Sequence, residues 1–401
     1  MKILVLSSLY PNEVQPRHGI FIEHRVAHLA RAADEIRVVA PVPWFPSSNP
    51  RFGQYAKLAA VPKSAKRRGV QVTYPRYPVI PKIGMTLAPF LMAAALYRHI
   101  AELRREFDFD VIDSYYLYPD GVATALLAKW LDVPFAMTAL GSDVTQIPDH
   151  APARRMILSA TAKAAAVTTV AGALRDELVE IGARPDNISV VLHGVDLDLF
   201  SPPVDRAALR DKLGMTAPTV LCVGYLVDNK GIDLAIRAIA RLSDVRLMIA
   251  GTGPCEIALK ALAESLGVRD RIDFLGHVDQ DSLPELYGAA DVVANCSARE
   301  GISNVLLEAM ACGTPLVATP VWGSPEVVSR TEAGVLTADR SDAAIADGIA
   351  HLIASPPDRA KTRAYAETFN WRDTGRQHHA LLTEAVAGHC GRHPTALATT
   401  P

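Results

Sequence analysis

"REGISNVLLEAMACGTPLVATP", residues 299–320, sets two glutamates, Glu300 and Glu308, eight positions apart around a short apolar segment. Ser303 or Asn304 is a candidate N-cap, "VLLEAMAC" favours helix, and Gly313, Thr314 and Pro315 form a stop signal. The β-branched run "PLVAT" that follows predicts a buried strand. Val305, Leu306, Ala309 and Met310 share one helical face, whereas Glu308 falls on another with Asn304 and Ala311. Glu300 lies ahead of the first turn, beside "GISN", whose backbone N–H groups have no intrahelical partner. Those donors and the positive end of the helix dipole suit an oxygen-rich ligand. Two carboxylates, as acceptors, would bracket a polyhydroxylated one such as a sugar nucleotide. The spacing equally fits one glutamate favouring the dipole and one that is merely solvated.

The whole chain bounds what such a site belongs to. Its 401 residues predict about two domains. With 49% hydrophobic and 21% charged residues and a formal net charge of -2, the composition is ordinary globular and gives no case for nucleic acid. The start, "MKILVLSSLYPNE", reads as a first strand rather than a signal peptide. No stretch approaches the ~18 apolar residues needed to span a bilayer. Cys222, Cys255, Cys296, Cys312 and Cys390 form no C-x-x-C pair, which favours a reducing cytoplasm and a reading as small buried hydrophobes.

Short apolar runs alternate with helical patterns, as a doubly wound α/β sheet requires. "KILVLSS", "EIRVVAP", "VQVTYP", "DVIDSYY", "PFAMTAL" and "AAVTTVA" predict strands in the first half, and "TVLCVGY", "VRLMIAG", "RIDFLGH", "DVVANCS" and "PLVAT" in the second. Two series imply two similar domains. Gly194 and Pro202-Pro203 in "LHGVDLDLFSPPVDR" place a linker near 195–205, and the tail from about 391 reads as disordered. In such sheets ligands sit where strand ends lead into helices. "VGYLVDNKGIDLAIRAIARL" offers such a loop: Gly224 turns the chain and Lys230 stands at a helix N-terminus, where a cation suits the dipole only if an anion binds. "IAGTGPCEIALK" carries Gly-x-Gly after a strand, but Glu256 occupies the third glycine position of the dinucleotide fingerprint.

The ordered set "VGYLVDNKGID", "IAGTGP", "FLGHV", "LYGAADVVANCSAREGISNVLLEAMACGTPLVATP" and "GSPEVV" resembles the retaining glycosyltransferases of the GT-B fold, in the family 4 (group 1) set with a Glu-x7-Glu signature. The resemblance is specific over residues 217–330 and looser through "SSLYPNEVQPRHGIFIEHRVAHLA", "ALGSDV", "HGVDLDLF" and "FNW". It implies two Rossmann-like domains facing across a cleft: 1–195 on the acceptor side, 196–375 for the nucleotide-sugar donor, and 376–401 a C-terminal helix, packing back on the first domain, with a flexible tail. It implies that Glu308 accepts from the ribose hydroxyls, while Glu300 with the amides of Gly301, Ile302, Ser303 and Asn304 holds the transferred sugar. Lys230 would neutralise the departing diphosphate. Gly224, Tyr225 and His277 fall at donor-binding positions, Gly19 in a loop near the donor phosphates with Arg17 assisting, and Asp143 at a sugar-binding position near the reaction centre.

Breaking the anomeric C–O bond places negative charge on the nucleoside diphosphate, which a cation and backbone dipoles stabilise. The family mechanism has the acceptor hydroxyl attack from the face the diphosphate leaves, with a phosphate oxygen taking the proton. No cofactor beyond the nucleotide-sugar co-substrate is implied. No Asp-x-Asp metal signature is evident, and His24 and His28 at i, i+4 spacing fit an amphipathic helix without a third ligand. Two departures matter: Tyr225 replaces an arginine common in the family, and Leu140 a histidine.

From Arg51 to Arg105 there are eleven Lys or Arg against one acid, Glu102. "TLAPFLMAAALYRHIAELRR" adds an apolar stripe that includes Leu87, Phe90, Leu91, Ala94, Tyr97, Ile100 and Leu103. Residues 51–105 thus predict either an anionic-membrane surface serving a glycan or lipid-linked acceptor, or a core-facing helix beside a solvated basic loop. The expected setting is the cytoplasm, with the inner face of the cell membrane as the site of peripheral attachment. The expected role is sugar transfer in surface polysaccharide or glycolipid synthesis. A catalytically silent sugar-nucleotide binding protein and a GT-B sugar-nucleotide epimerase are the alternatives.

Overall fold

The computed structural model describes every residue except 45, 46, 48, 50, 52, 81–83 and 393–401, so most of the tail expected to be disordered lies outside the described residues. The chain divides into two compact units, Met1–Leu192 with Trp371–Pro401, and His193–Asn370.

Among the described residues, the first unit is built on an eight-stranded sheet in the order Ile188–Val190, Ala166–Thr169, Phe135–Ala139, Val111–Tyr115, Lys2–Leu6, Glu35–Val39, Val70–Thr73, Ser64–Arg67. Every pairing is parallel except that of the last two strands. Parallel strands are covered on both faces, so they read as continuous apolar runs, and Ile3, Leu4, Val5 and Leu6 are all fully buried. Each such side chain contributes roughly 1.5–3 kcal/mol of burial. The helix Trp371–Arg392 packs on Ile20–Leu29, and its buried His378 bridges Asp113 of the central strand (2.9 Å) and Arg25 (3.1 Å).

The second unit carries a six-stranded, wholly parallel sheet in the order Ile272–Gly276, Arg246–Ala250, Thr219–Val223, Val292–Asn295, Leu316–Ala318, Gly334–Leu336. The eleven sequence-predicted strands all form. The additional ones are only three or four residues long, as at Ile188–Val190, Ser64–Arg67 and Gly334–Leu336, too short to show a pattern.

The unit boundary falls at Leu192/His193, slightly ahead of the expected linker. The reason is local: Val195 N donates to Phe369 O (2.8 Å), and Arg363 donates to Phe200 O (2.6 Å) and Leu197 O (3.1 Å), which pins this stretch to the second unit. The return at Asn370/Trp371 likewise precedes the expected 375.

Candidate functional site

In the second unit, two strand-to-helix loops are fastened together. Ala298 N donates to Asn229 O (2.8 Å), Asn229 Nδ2 to Arg299 O (3.2 Å), and Arg340 Nε to Cys296 O (3.0 Å). Gly231 sits at φ +63°, and a Cβ there would lie 2.2 Å from Cys296 O, so no other residue allows this approach. The consequence is chemical: Lys230 Nζ forms an ion pair with Glu300 Oε1, seventy residues away in sequence. Ser297 Oγ donates to the same oxygen (2.8 Å), and Ser297 is itself held by Asn295 and Thr319. The stem of Lys230 runs past Gly224, where a Cβ would meet its Cδ at 3.9 Å.

Gly301, Ile302 and Ser303 lead into the helix Asn304–Ala311, with Ser303 as its N-cap residue. Asn295 Nδ2 donates to Ser303 Oγ (2.8 Å), so that hydroxyl is tied to the preceding strand rather than to the helix amides. The helix is more deeply buried than its pattern predicts: Leu306, Leu307, Ala309, Met310 and Ala311 have no exposed surface. Glu308 keeps part of its surface open, yet burial pushes its carboxyl up to about 7, against a donated hydrogen bond from the fully buried Tyr287 hydroxyl (2.8 Å) that lowers it. Tyr225 is 60% exposed on its loop, and His277 is exposed with Asp279 3.6 Å from its Nε2.

The Gly-x-Gly of "IAGTGP" has a packing role. A Cβ on Gly251 would meet Gly224 O at 1.8 Å and one on Gly253 would meet Leu226 O at 2.4 Å, so the glycines let two loops lie backbone to backbone.

In the first unit, Gly19 adopts φ +70° ahead of the helix Ile20–Leu29, and a Cβ there would lie 2.1 Å from Leu9 O. Its glycine is required by the chain's own loop, with exposed Arg17 two residues before it. A pocket of about 200 Å³ with a mixed lining opens at the carboxyl ends of the strands Lys2–Leu6 and Glu35–Val39, with Ser8, Asn12, Gln15, His18, Tyr74 and Tyr77 on one part of its wall and apolar residues such as Val42 and Leu58 on the rest. Sequence reasoning missed these side chains because the loop that carries Ser8, Asn12, Gln15 and His18 meets Tyr74 and Tyr77 only in the fold. Ser8 is held through its N–H and hydroxyl by the buried Asp120, whose carboxyl burial pushes up to about 7.

Asp143 requires a correction. It is fully buried and its carboxylate accepts backbone N–H groups of Gly141 (2.7 Å), Leu140 (3.1 Å) and Leu117 (2.8 Å). It clamps the loop where Leu140 stands, rather than presenting oxygens to a sugar. The basic region also divides. Arg67 and Arg68 both pair with the buried Glu23, although the Arg68 side chain stays 44% exposed. On the helix Ala88–Phe107 the predicted stripe is two faces: Met92, Leu96, Ile100 and Phe107 are buried, while Leu87, just ahead of it, Phe90, Ala94 and Tyr97 are exposed.

His24 and His28 lie against Trp371 at ring separations of 6.1 and 6.2 Å. Among the described residues, no cluster of three or more His, Cys, Asp or Glu is arranged to hold a metal ion, and no helix is long and apolar enough to cross a membrane. Cys222, Cys296 and Cys312 are buried, Cys255 half-buried.

Residues 205–369 match the family described as glycosyl transferases group 1, and residues 19–199 match glycosyltransferase family 4. D-inositol 3-phosphate glycosyltransferase of Xylanimonas cellulosilytica is 35% identical over 316 residues, 73% of this chain and 75% of that one. The chain belongs to the group 1, family 4 glycosyltransferases. The glycosyltransferase of the same name from Mycobacterium bovis is 40% identical over 207 residues, 48% of this chain and 43% of that protein. Sucrose-phosphate synthase of Thermosynechococcus elongatus superposes with a TM-score of 0.77 at 20% identity, covering 97% of this chain and 100% of its own. Anabaena HepE in complex with UDP superposes with a TM-score of 0.73 at 22% identity, over 96% of this chain and 100% of that one. The fold of this glycosyltransferase is accordingly GT-B.

Proposed function

We propose that this glycosyltransferase moves a sugar from a nucleoside-diphosphate sugar to a hydroxyl acceptor with retention of configuration and without a metal. The observation that carries the reading is the Lys230–Glu300 pair beside the amino end of the helix Asn304–Ala311. Lys230 and the free amides before that helix neutralise the diphosphate as it departs, when negative charge is largest. Glu300 accepts from the transferred sugar's hydroxyls and Glu308 from the ribose. Solved GT-B structures with bound UDP, with UDP-glucose and with ADP support a nucleotide-linked donor. Neither glutamate is needed as a nucleophile: the acceptor attacks from the leaving-group face and a diphosphate oxygen takes its proton.

The acceptor binds the pocket of about 200 Å³ in the first unit. Its mixed lining, with hydroxyl, amide and imidazole groups from Ser8, Asn12, Gln15 and His18 beside aromatic and aliphatic walls, and its volume of about 200 Å³ suit a single polyhydroxylated ring, the end of a glycan or lipid-linked glycan, or a cyclitol. A relative whose name specifies D-inositol 3-phosphate favours the cyclitol form of that ring. A glycan or lipid-linked acceptor belongs to surface polysaccharide or glycolipid synthesis at the cytoplasmic face of the membrane, and one structural neighbour, WaaG, is a glycosyltransferase involved in lipopolysaccharide biosynthesis. A thermal-shift panel of nucleotide sugars, followed by donor turnover with and without chelator and determination of the product anomer, tests the reading. Inversion at the anomeric carbon, or activity abolished by chelator, would overturn the mechanism. Binding of a donor without hydrolysis or transfer would leave a sugar-nucleotide binding protein.

A further inference from the structure

The first unit contains a second, larger cavity that the transfer reaction does not use. Its volume is about 680 Å³, within the ~300–1,000 Å³ range of ligand sites, and it is lined by Phe90, Val122, Leu126, Pro134, Met156 and Ala160 among others. Val133 to Phe135 and Ala164 to Ala165 border it, so it opens at the amino ends of the strands Phe135–Ala139 and Ala166–Thr169. The smaller pocket lies at the carboxyl ends of strands in the same sheet. The two cavities therefore sit at opposite edges.

Three features define its chemistry. The floor is apolar, from the helices Val122–Leu131 and Ala151–Thr161. The rim is cationic: Lys129, Arg155 and Lys163 are exposed there against one acid, Asp132. The surface next to it is apolar. Phe90 lines the cavity and belongs to the exposed face with Leu87 (51% exposed), Tyr97 (42%) and Trp130 (46%), the last two meeting edge to face at 5.6 Å. With Met85, these are five of the eleven exposed large hydrophobics among the described residues. A helix apolar on its core face and again on its solvent face has a second apolar neighbour to meet.

We propose that this cavity and the outer face of the helix Ala88–Phe107 form a binding site for an anionic membrane phospholipid. The headgroup phosphate pairs with Lys129 and Arg155, an acyl chain enters the apolar floor, and Leu87, Phe90, Tyr97 and Trp130 rest at the interface, where aromatic rings with one polar edge are favoured. The combination of apolar floor, cationic rim and adjoining aromatic face selects a lipid over a free anion, which needs only the cations. The site is separate from the transfer reading and requires no donor.

Co-sedimentation of the full chain with phosphatidylglycerol or phosphatidylcholine vesicles tests it. Binding to phosphatidylglycerol vesicles that falls with added salt, and little binding to phosphatidylcholine, is expected. At about fivefold per surface cation, Lys129→Ser with Arg155→Ser should weaken partitioning about twenty-five-fold. Ala125→Trp, which fills the cavity without changing charge, should weaken it several-fold at unchanged thermal stability. If that variant is destabilised, Ser159→Trp at the rim repeats the measurement. Absence of binding to anionic vesicles, native-like binding in both the charge and the filling variants, or complete competition by inorganic phosphate would overturn the lipid assignment. Donor hydrolysis, which these residues do not touch, should persist throughout, so loss of lipid binding is distinguishable from failure of the transfer reading.

Discussion

Two strand-to-helix loops, one in each unit, use a carboxylate in opposite ways. At residues 140–143 of the first unit, Asp143 spends its oxygens on three backbone N–H groups and is sealed from solvent. At residues 296–304 of the second, Glu300 is held by two side chains, Lys230 and Ser297, and retains 14% exposure. Backbone donors are fixed, whereas a lysine ammonium on four rotatable bonds can exchange partners. A carboxylate pinned by backbone is a part of the loop; one pinned by a mobile cation is available to a ligand, and so is the cation. The difference explains why only the second loop is a candidate for chemistry.

The largest expected effect lies on that exchangeable side. Lys230→Ala should lower kcat about 10²–10³-fold, as loss of a preorganised electrostatic group does, with a far smaller change in donor affinity. Steady-state kinetics that show native kcat would end the leaving-group role. Next, Asp143→Asn should act on stability alone. Turning an amide nitrogen toward backbone N–H groups removes charge-assisted bonds, for about 2 kcal/mol, read as a lower Tm with donor affinity retained. A variant as stable as the parent but defective in sugar binding would return Asp143 to the site.

The pH response of Glu308 sharpens the contrast further. Burial raises its carboxyl to about 7, so the stability favouring its neutral form is fully present below the ordinary value of 4.5 and is lost as pH rises through about 7. A ribose hydroxyl donates best to the carboxylate, so nucleoside diphosphate binding should tighten between pH 6 and 8, by about tenfold relative to Glu308→Gln, whose pH dependence reports only the ligand's own titration. Parallel profiles in calorimetric titrations would place the ribose elsewhere. The smallest effect is expected from Tyr287→Phe. Removing the hydroxyl that stabilises the Glu308 carboxylate should raise its pKa above about 7 and weaken nucleotide binding at neutral pH by a few-fold, with the deficit vanishing above pH 8. A deficit constant with pH would reflect repacking instead.

Much of this was legible along the chain. The two series of apolar β-branched runs determined the strands, because strands covered on both faces must be apolar throughout, and the ordered loop motifs around Lys230, Glu300 and Glu308 determined the family. Spacing also identified the helix Asn304–Ala311 and its stop. Residue type alone was not enough to separate Asp143 from Glu300, or the buried from the exposed stripe of Ala88–Phe107, since both depend on what packs against them. Only the tertiary structure decided that Lys230 and Glu300 are partners, that Arg67 and Arg68 answer the buried Glu23, that Tyr287 tunes Glu308, and that loops far apart in sequence line one pocket. The physical reason is range: secondary structure follows from neighbours a few residues apart, whereas burial, ion pairing and pKa depend on groups that the fold alone brings within a few ångströms.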